Sequence, residues 1–96
     1  MNTLADFKRA LATEGVQVET LALARGVKGG PLKVGMIRTV VKINTVGVYL
    51  SYEGGPACGS WLEFDKAGDW LFEGDTATNT LYGYAYRVLM PSEVSA

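Results

Sequence analysis

Met36-Ile37-Arg38-Thr39-Val40-Val41-Lys42-Ile43 alternates with a period of two, Ile37, Thr39, Val41 and Ile43 on one side, Met36, Arg38, Val40 and Lys42 on the other. Successive side chains of a strand point to opposite faces, so the pattern predicts an extended segment with Arg38 and Lys42 on a common face. Asn44 to Gly47 then reads as a turn, and Val48, Leu50 and Tyr52 alternate against Tyr49 and Ser51 in a returning strand. An antiparallel hairpin therefore stands at the centre of the chain.

Toward the amino terminus lies a glycine-rich loop, Arg25-Gly26-Val27-Lys28-Gly29-Gly30-Pro31, preceded by another period-two stretch in which Val16 and Val18 alternate with Gln17 and Glu19. Leu21 and Leu23 fall on the opposite parity, which predicts either a bulge near Thr20 or a strand covered on both faces. Before Gly15 the period changes. Leu4, Phe7 and Leu11 make a helical stripe behind a Thr3/Asp6 capping pair, placing a short amphipathic helix at about residues 3 to 14.

Toward the carboxyl terminus, Glu53-Gly54-Gly55-Pro56 is a reversal, Ser60 to Phe64 a strand, and Asp65 to Asp69 a helical turn or tight loop with an Asp cap. Trp70 to Glu73 resumes extended structure, Gly74-Asp75 is a two-residue hairpin signal, and Thr76, Thr78 and Thr80 line one face of the next strand. Leu81 to Met90 reads as the last strand, before a polar tail at 91–96. A helix within 1–15 followed over 16–90 by about five or six short strands with short connections describes an α+β domain: a curled antiparallel sheet or a small SH3-like barrel. Parallel pairing would need crossovers that this spacing does not provide.

A chain of 96 residues fits one domain, residues 1–96, which buries roughly two-thirds of its unfolded surface. Its net charge of −1 argues against a general nucleic-acid coat protein. That near neutrality hides two poles: Thr20 to Tyr52 contains no acid but five bases, whereas Glu63 to Asp75 contains five carboxylates and one lysine. The single cysteine, Cys58, allows no intrachain disulfide, and an early signal-peptide pattern is interrupted by Asp6, Lys8 and Arg9, so the expected compartment is intracellular. No apolar run approaches the ~18 residues of a membrane span. Histidine is absent, which removes the commonest general acid/base and metal ligand and points away from an enzyme, a metal site or a cofactor.

Arg38 and Lys42, with Arg25, Lys28 and Lys33 on the neighbouring loop, are the anion-binding candidates, since guanidinium and ammonium groups both bind phosphate oxygens. The competing reading is solvation, or pairing with the acidic pole of another subunit. Tyr82, Tyr84 and Tyr86 share one face of the last strand, with Gly83 and Ala85 leaving room for close packing behind them. Such a row can stack on a planar ligand, or it can cover the core with its hydroxyls at the rim. Trp61 and Trp70 bracket Asp65 and Asp69 as a partner-binding candidate, one tryptophan expected in the core and the other partly exposed. The acids match no EF-hand loop, the glycine loop lacks P-loop order, and Cys58 has no histidine to make it a thiolate nucleophile.

Met1-Asn2-Thr3-Leu4-Ala5-Asp6-Phe7-Lys8-Arg9-Ala10-Leu11, together with Ser60-Trp61-Leu62-Glu63-Phe64-Asp65-Lys66-Ala67 and Gly74-Asp75-Thr76, resembles pieces of small uncharacterised accessory proteins encoded by bacteriophages and prophages. The resemblance leaves out the basic middle and transfers no catalytic residue. It implies a setting, the cytoplasm of a bacterial host, and stoichiometric binding there: sequestering a nucleotide messenger or blocking a defence protein. The leading expectation is thus a non-enzymatic protein that captures an anionic small molecule such as a nucleotide between basic residues and tyrosines. The alternatives are an inhibitor of a host enzyme or complex, and a small phage structural component. Exposed sheet edges make a homodimer the default assembly.

Overall fold

A computed structural model describes residues 1–27, 30–53, 55–64 and 69–89, with the backbone alone at 55–57. The elements run α1 (Leu4–Ala10), β1 (Gln17–Ala22), β2 (Ile37–Ile43), β3 (Gly47–Tyr52), β4 (Gly55–Glu63), β5 (Trp70–Glu73), β6 (Thr76–Asn79) and β7 (Ala85–Val88). The central hairpin forms as its pattern requires. Asn44 Oδ1 accepts from the amides of Val46 and Gly47, each at 2.9 Å, and so fixes the turn between β2 and β3.

The strands make one seven-stranded sheet in the order β4-β3-β2-β1-β7-β6-β5, with every pair antiparallel. Two meanders, β1 to β4 and β5 to β7, are joined where the last strand lies beside the first. The edge strands β4 and β5 are neighbours in sequence, which forces the sheet to curl. From Glu63 to Trp70 the chain reaches at most about 25 Å, whereas a flat sheet of this order would hold its edges about 29 Å apart.

The curled sheet is not a closed barrel, and α1 fills the gap between its edges. Phe7, fully buried, packs edge-on against Phe64 after β4 at 5.6 Å and against Trp70 and Phe72 of β5 at 5.5 and 6.1 Å. Thr3 and Asp6 form the expected capping box, but α1 stops at Ala10, earlier than the stripe ending at Leu11 and the glycine at 15 suggest. Leu11 is buried beside Phe7, and the Gly15 amide instead donates to the Val40 carbonyl at 2.8 Å, turning the chain into β1.

The sheet has more strands than the sequence reading assigns, and it is open rather than an SH3-like barrel. β4 begins at Gly55, inside the segment read as a reversal. The expected irregularity in β1 is present as a register shift against β7 between Thr20 and Ala22. The last strand is shorter than expected. Gly83 adopts a φ of 91°, a left-handed turn, so Leu81–Tyr84 is a loop and only Ala85–Val88 pairs. The Asp65–Gly68 part of the predicted turn, Met90 and the tail at 91–96 lie outside the described residues.

Candidate functional site

Arg38 occupies a position on β2 whose neighbours in the inward row are Val40 and, across the pair, Val18, and it is buried with them, only 2% exposed. A charged side chain there must find acceptors, and three strands supply them. Nε donates to the Ser51 carbonyl at 3.3 Å, and Nη2 to the Leu50 carbonyl at 2.8 Å and to Ser60 Oγ at 2.7 Å. Nη1 donates to the Tyr86 hydroxyl at 2.8 Å, and the guanidinium lies over the Tyr52 ring at 5.2 Å. Nη1 carries two hydrogens, and Tyr86 is its one acceptor among the described residues. No carboxylate among them pairs with Arg38.

Arg38, buried, lines a cavity of about 310 Å³. Tyr82, Tyr84 and Tyr86 line it together with the Ser60–Glu63 segment of β4. Ala22, Leu23, Ala24, Val27 and Leu32, from the end of β1 and the segment leading to β2, add an apolar lining. The tyrosines are graded in depth: Tyr86 is 6% exposed, Tyr84 half-buried and Tyr82 46% exposed. Although Tyr82 lies outside β7, its ring stacks on Tyr84 at 6.3 Å with 4° between planes, and Tyr84 tilts onto Tyr86 at 5.8 Å. An aromatic ladder thus leads from the surface to the buried cation.

Of the basic candidates among the described residues, Arg38 alone lines the cavity. Arg38 and Lys42 do not share a face. A register shift in β2 between Val40 and Lys42 reverses the parity, pairing Lys42 with Tyr49 on the outer face. Tyr49 in turn pairs with Trp61, their rings edge-to-face at 5.3 Å. Arg25 donates to the carbonyls of Thr80, at 2.9 Å, and Leu81, and its side chain lies along Gly83. The room that Gly83 leaves is therefore occupied by Arg25, which clamps the tyrosine-bearing loop. Lys33 is exposed and does not line the cavity, and Lys28 lies outside the described residues.

The two tryptophans part company. Trp70 packs inward against Phe7 and Phe72, whereas Trp61 is 47% exposed on the opposite edge strand. Asp69 is exposed, with its carbonyl held by Thr80, and Asp65 is outside the described residues, so these residues do not assemble into one described surface. Cys58 is exposed on β4, and no cluster of potential metal ligands occurs among the described residues. Nor is any helix among them long and apolar enough to cross a membrane.

Sequence reasoning missed Ser60, Tyr52 and Glu63 as neighbours of the site. Ser60 carried a signal: it has the parity of Leu62 and Phe64, and a hydroxyl on an apolar face implies a polar partner inside. Comparison with known proteins adds no relative, since no family model, curated protein or solved structure matches the chain.

Proposed function

We propose that the protein is a non-enzymatic binding protein that captures a planar anionic ligand, such as a nucleotide, in the mouth of its curled sheet. One observation carries the reading: a buried arginine with a spare N–H and no carboxylate partner among the described residues lines the same cavity as a tyrosine ladder. The cavity is at the lower end of the ~300–1,000 Å³ of small-molecule sites, enough for a ring system and one anionic group. Stacking on Tyr82 and Tyr84 supplies about 1–3 kcal/mol per ring, and the guanidinium supplies orientation. The setting implied by the phage-protein resemblance, sequestration of a nucleotide signal in a bacterial host, is one in which capture without turnover suffices.

Calorimetry against cyclic and linear nucleotides tests the proposal. Saturable binding with one ligand per chain is the expected result, weakened about tenfold by Tyr82→Ala, which leaves the core intact. Absence of heat with every nucleotide at high micromolar concentration removes this function.

The outer-face row of Lys42, Tyr49 and exposed Trp61 favours a second reading, inhibition of a host protein through that surface. A partner that is captured by the native protein, survives nuclease treatment and is lost in Trp61→Ala but retained in Tyr82→Ala would favour this second reading.

A further inference from the structure

Resting on the ligand-binding reading above, we infer that the cavity selects ligands carrying a single negative charge, a flat ring bearing one phosphodiester or one carboxylate, over phosphomonoesters and polyphosphates. Among the described residues the lining holds one cation, Arg38; Glu63 borders the cavity from β4 with the parity of the outward Trp61, and the other described lining residues are neutral. The Arg38 charge is already partly offset. The carbonyls of Leu50, Ser51 and Ser60 turn their negative ends toward it, and Tyr86 and Ser60 present hydroxyl oxygens.

What remains is at most one unit of positive charge in a poorly solvated place, and a monoanion neutralises it. A second negative charge finds no partner among the described lining residues and loses its water. A multi-phosphate ligand needs further cations within reach. Lys42 faces outward from the sheet, and Arg25 is committed to the carbonyls of Thr80 and Leu81. The geometry also fixes polarity: the anionic group goes inward to Arg38 and the ring outward to the stacked Tyr82 and Tyr84.

A matched series tests this at pH 8: a purine nucleoside, its 3′,5′-cyclic monophosphate with one charge, its 5′-monophosphate with two, and indole-3-carboxylate as a non-nucleotide monoanion. Dissociation constants are read from tryptophan fluorescence and confirmed by calorimetry. The cyclic diester or the carboxylate is expected to bind about tenfold or more tighter than both the neutral nucleoside and the dianion, and which of the two binds distinguishes phosphodiester from carboxylate ligands. A dianion that binds as tightly as the diester, or a nucleoside that matches it, overturns the single-charge inference while leaving the pocket in place. No binding by any of the four removes the pocket itself.

Discussion

The Tyr86 hydroxyl accepts a 2.8 Å hydrogen bond from Arg38 Nη1, joining the first hairpin of the sheet to its last strand through a buried cation. The two residues are far apart in sequence, and the contact joins core packing to the candidate site. Tyr86→Phe keeps the ring and removes only the acceptor. Because a hydrogen bond to a buried charge is lost, unfolding free energy should fall by about 1.5–3 kcal/mol. Urea denaturation measures this, and an unchanged midpoint would mean that Arg38 is solvated rather than held by Tyr86.

Gly83 is required twice over. Its φ of 91° disfavours any side chain, and a Cβ there would come within 3.1 Å of Arg25 Cγ. Gly83→Ala should cost about 1–2 kcal/mol from backbone strain alone. In an Arg25→Ala background the same substitution should cost less, since the contact is gone and only the strain remains. A double-mutant cycle reads the difference, and strict additivity would contradict the clamp.

A Cβ on Gly59 would lie 2.3 Å from the Leu50 carbonyl oxygen, so β3 and β4 approach too closely for alanine. That oxygen is also an acceptor for Arg38 Nη2. Gly59→Ala should therefore destabilise by about 1–3 kcal/mol and weaken ligand binding in the fraction that remains folded. Stability and affinity measured on one sample check the linkage; a stability loss without an affinity loss would uncouple this strand pair from the site.

Asp6 titrates below its ordinary value of 3.8, chiefly because its carboxylate accepts the Asn2 amide at 2.8 Å, with help from the Thr3 amide and the Arg9 guanidinium and against the opposing effect of burial. A carboxyl group whose folded-state pKa is depressed stabilises the fold above its unfolded pKa and loses that contribution as pH falls through the folded one. Helical circular dichroism should therefore decline on acidification below pH 3.8. Asp6→Asn should remove that part of the acid transition. An identical acid limb in wild type and variant would assign the transition to other carboxylates.

The parts of the fold legible in sequence are those set by neighbours along the chain. The β2–β3 hairpin follows from strict alternation and Asn44, the β5–β6 hairpin from Gly74-Asp75, and the Thr20 irregularity from the parity change between Val18 and Leu21. The shift in β2 was not legible, because it falls among Val40, Val41 and Lys42 with no glycine or proline to mark it. It sends Lys42 outward while Arg38 stays in.

Burial of Arg38 was equally hidden. An arginine in an alternating strand ordinarily marks the wet face, and here the acceptors that reverse this come from β3, β4 and β7. Pairing of the last strand with the first, which brings Tyr86 to the same guanidinium as Ser60, is likewise a long-range event. Even so, Tyr82 and Tyr84 lie side by side, their rings stacked, although the strand expected to set them on one face begins only at Ala85.

A ligand held as proposed touches Arg38 and the tyrosine ladder at once. Nuclear magnetic resonance of the Arg38 Nε–H and of the ring signals of Tyr82 and Tyr84, followed during titration with a 3′,5′-cyclic purine nucleotide, tests it most directly. All three should shift along a single saturation curve while Lys42, on the outer face, stays unchanged. Shifts confined to Lys42 and Tyr49, or none at Arg38 when binding is otherwise evident, would contradict it.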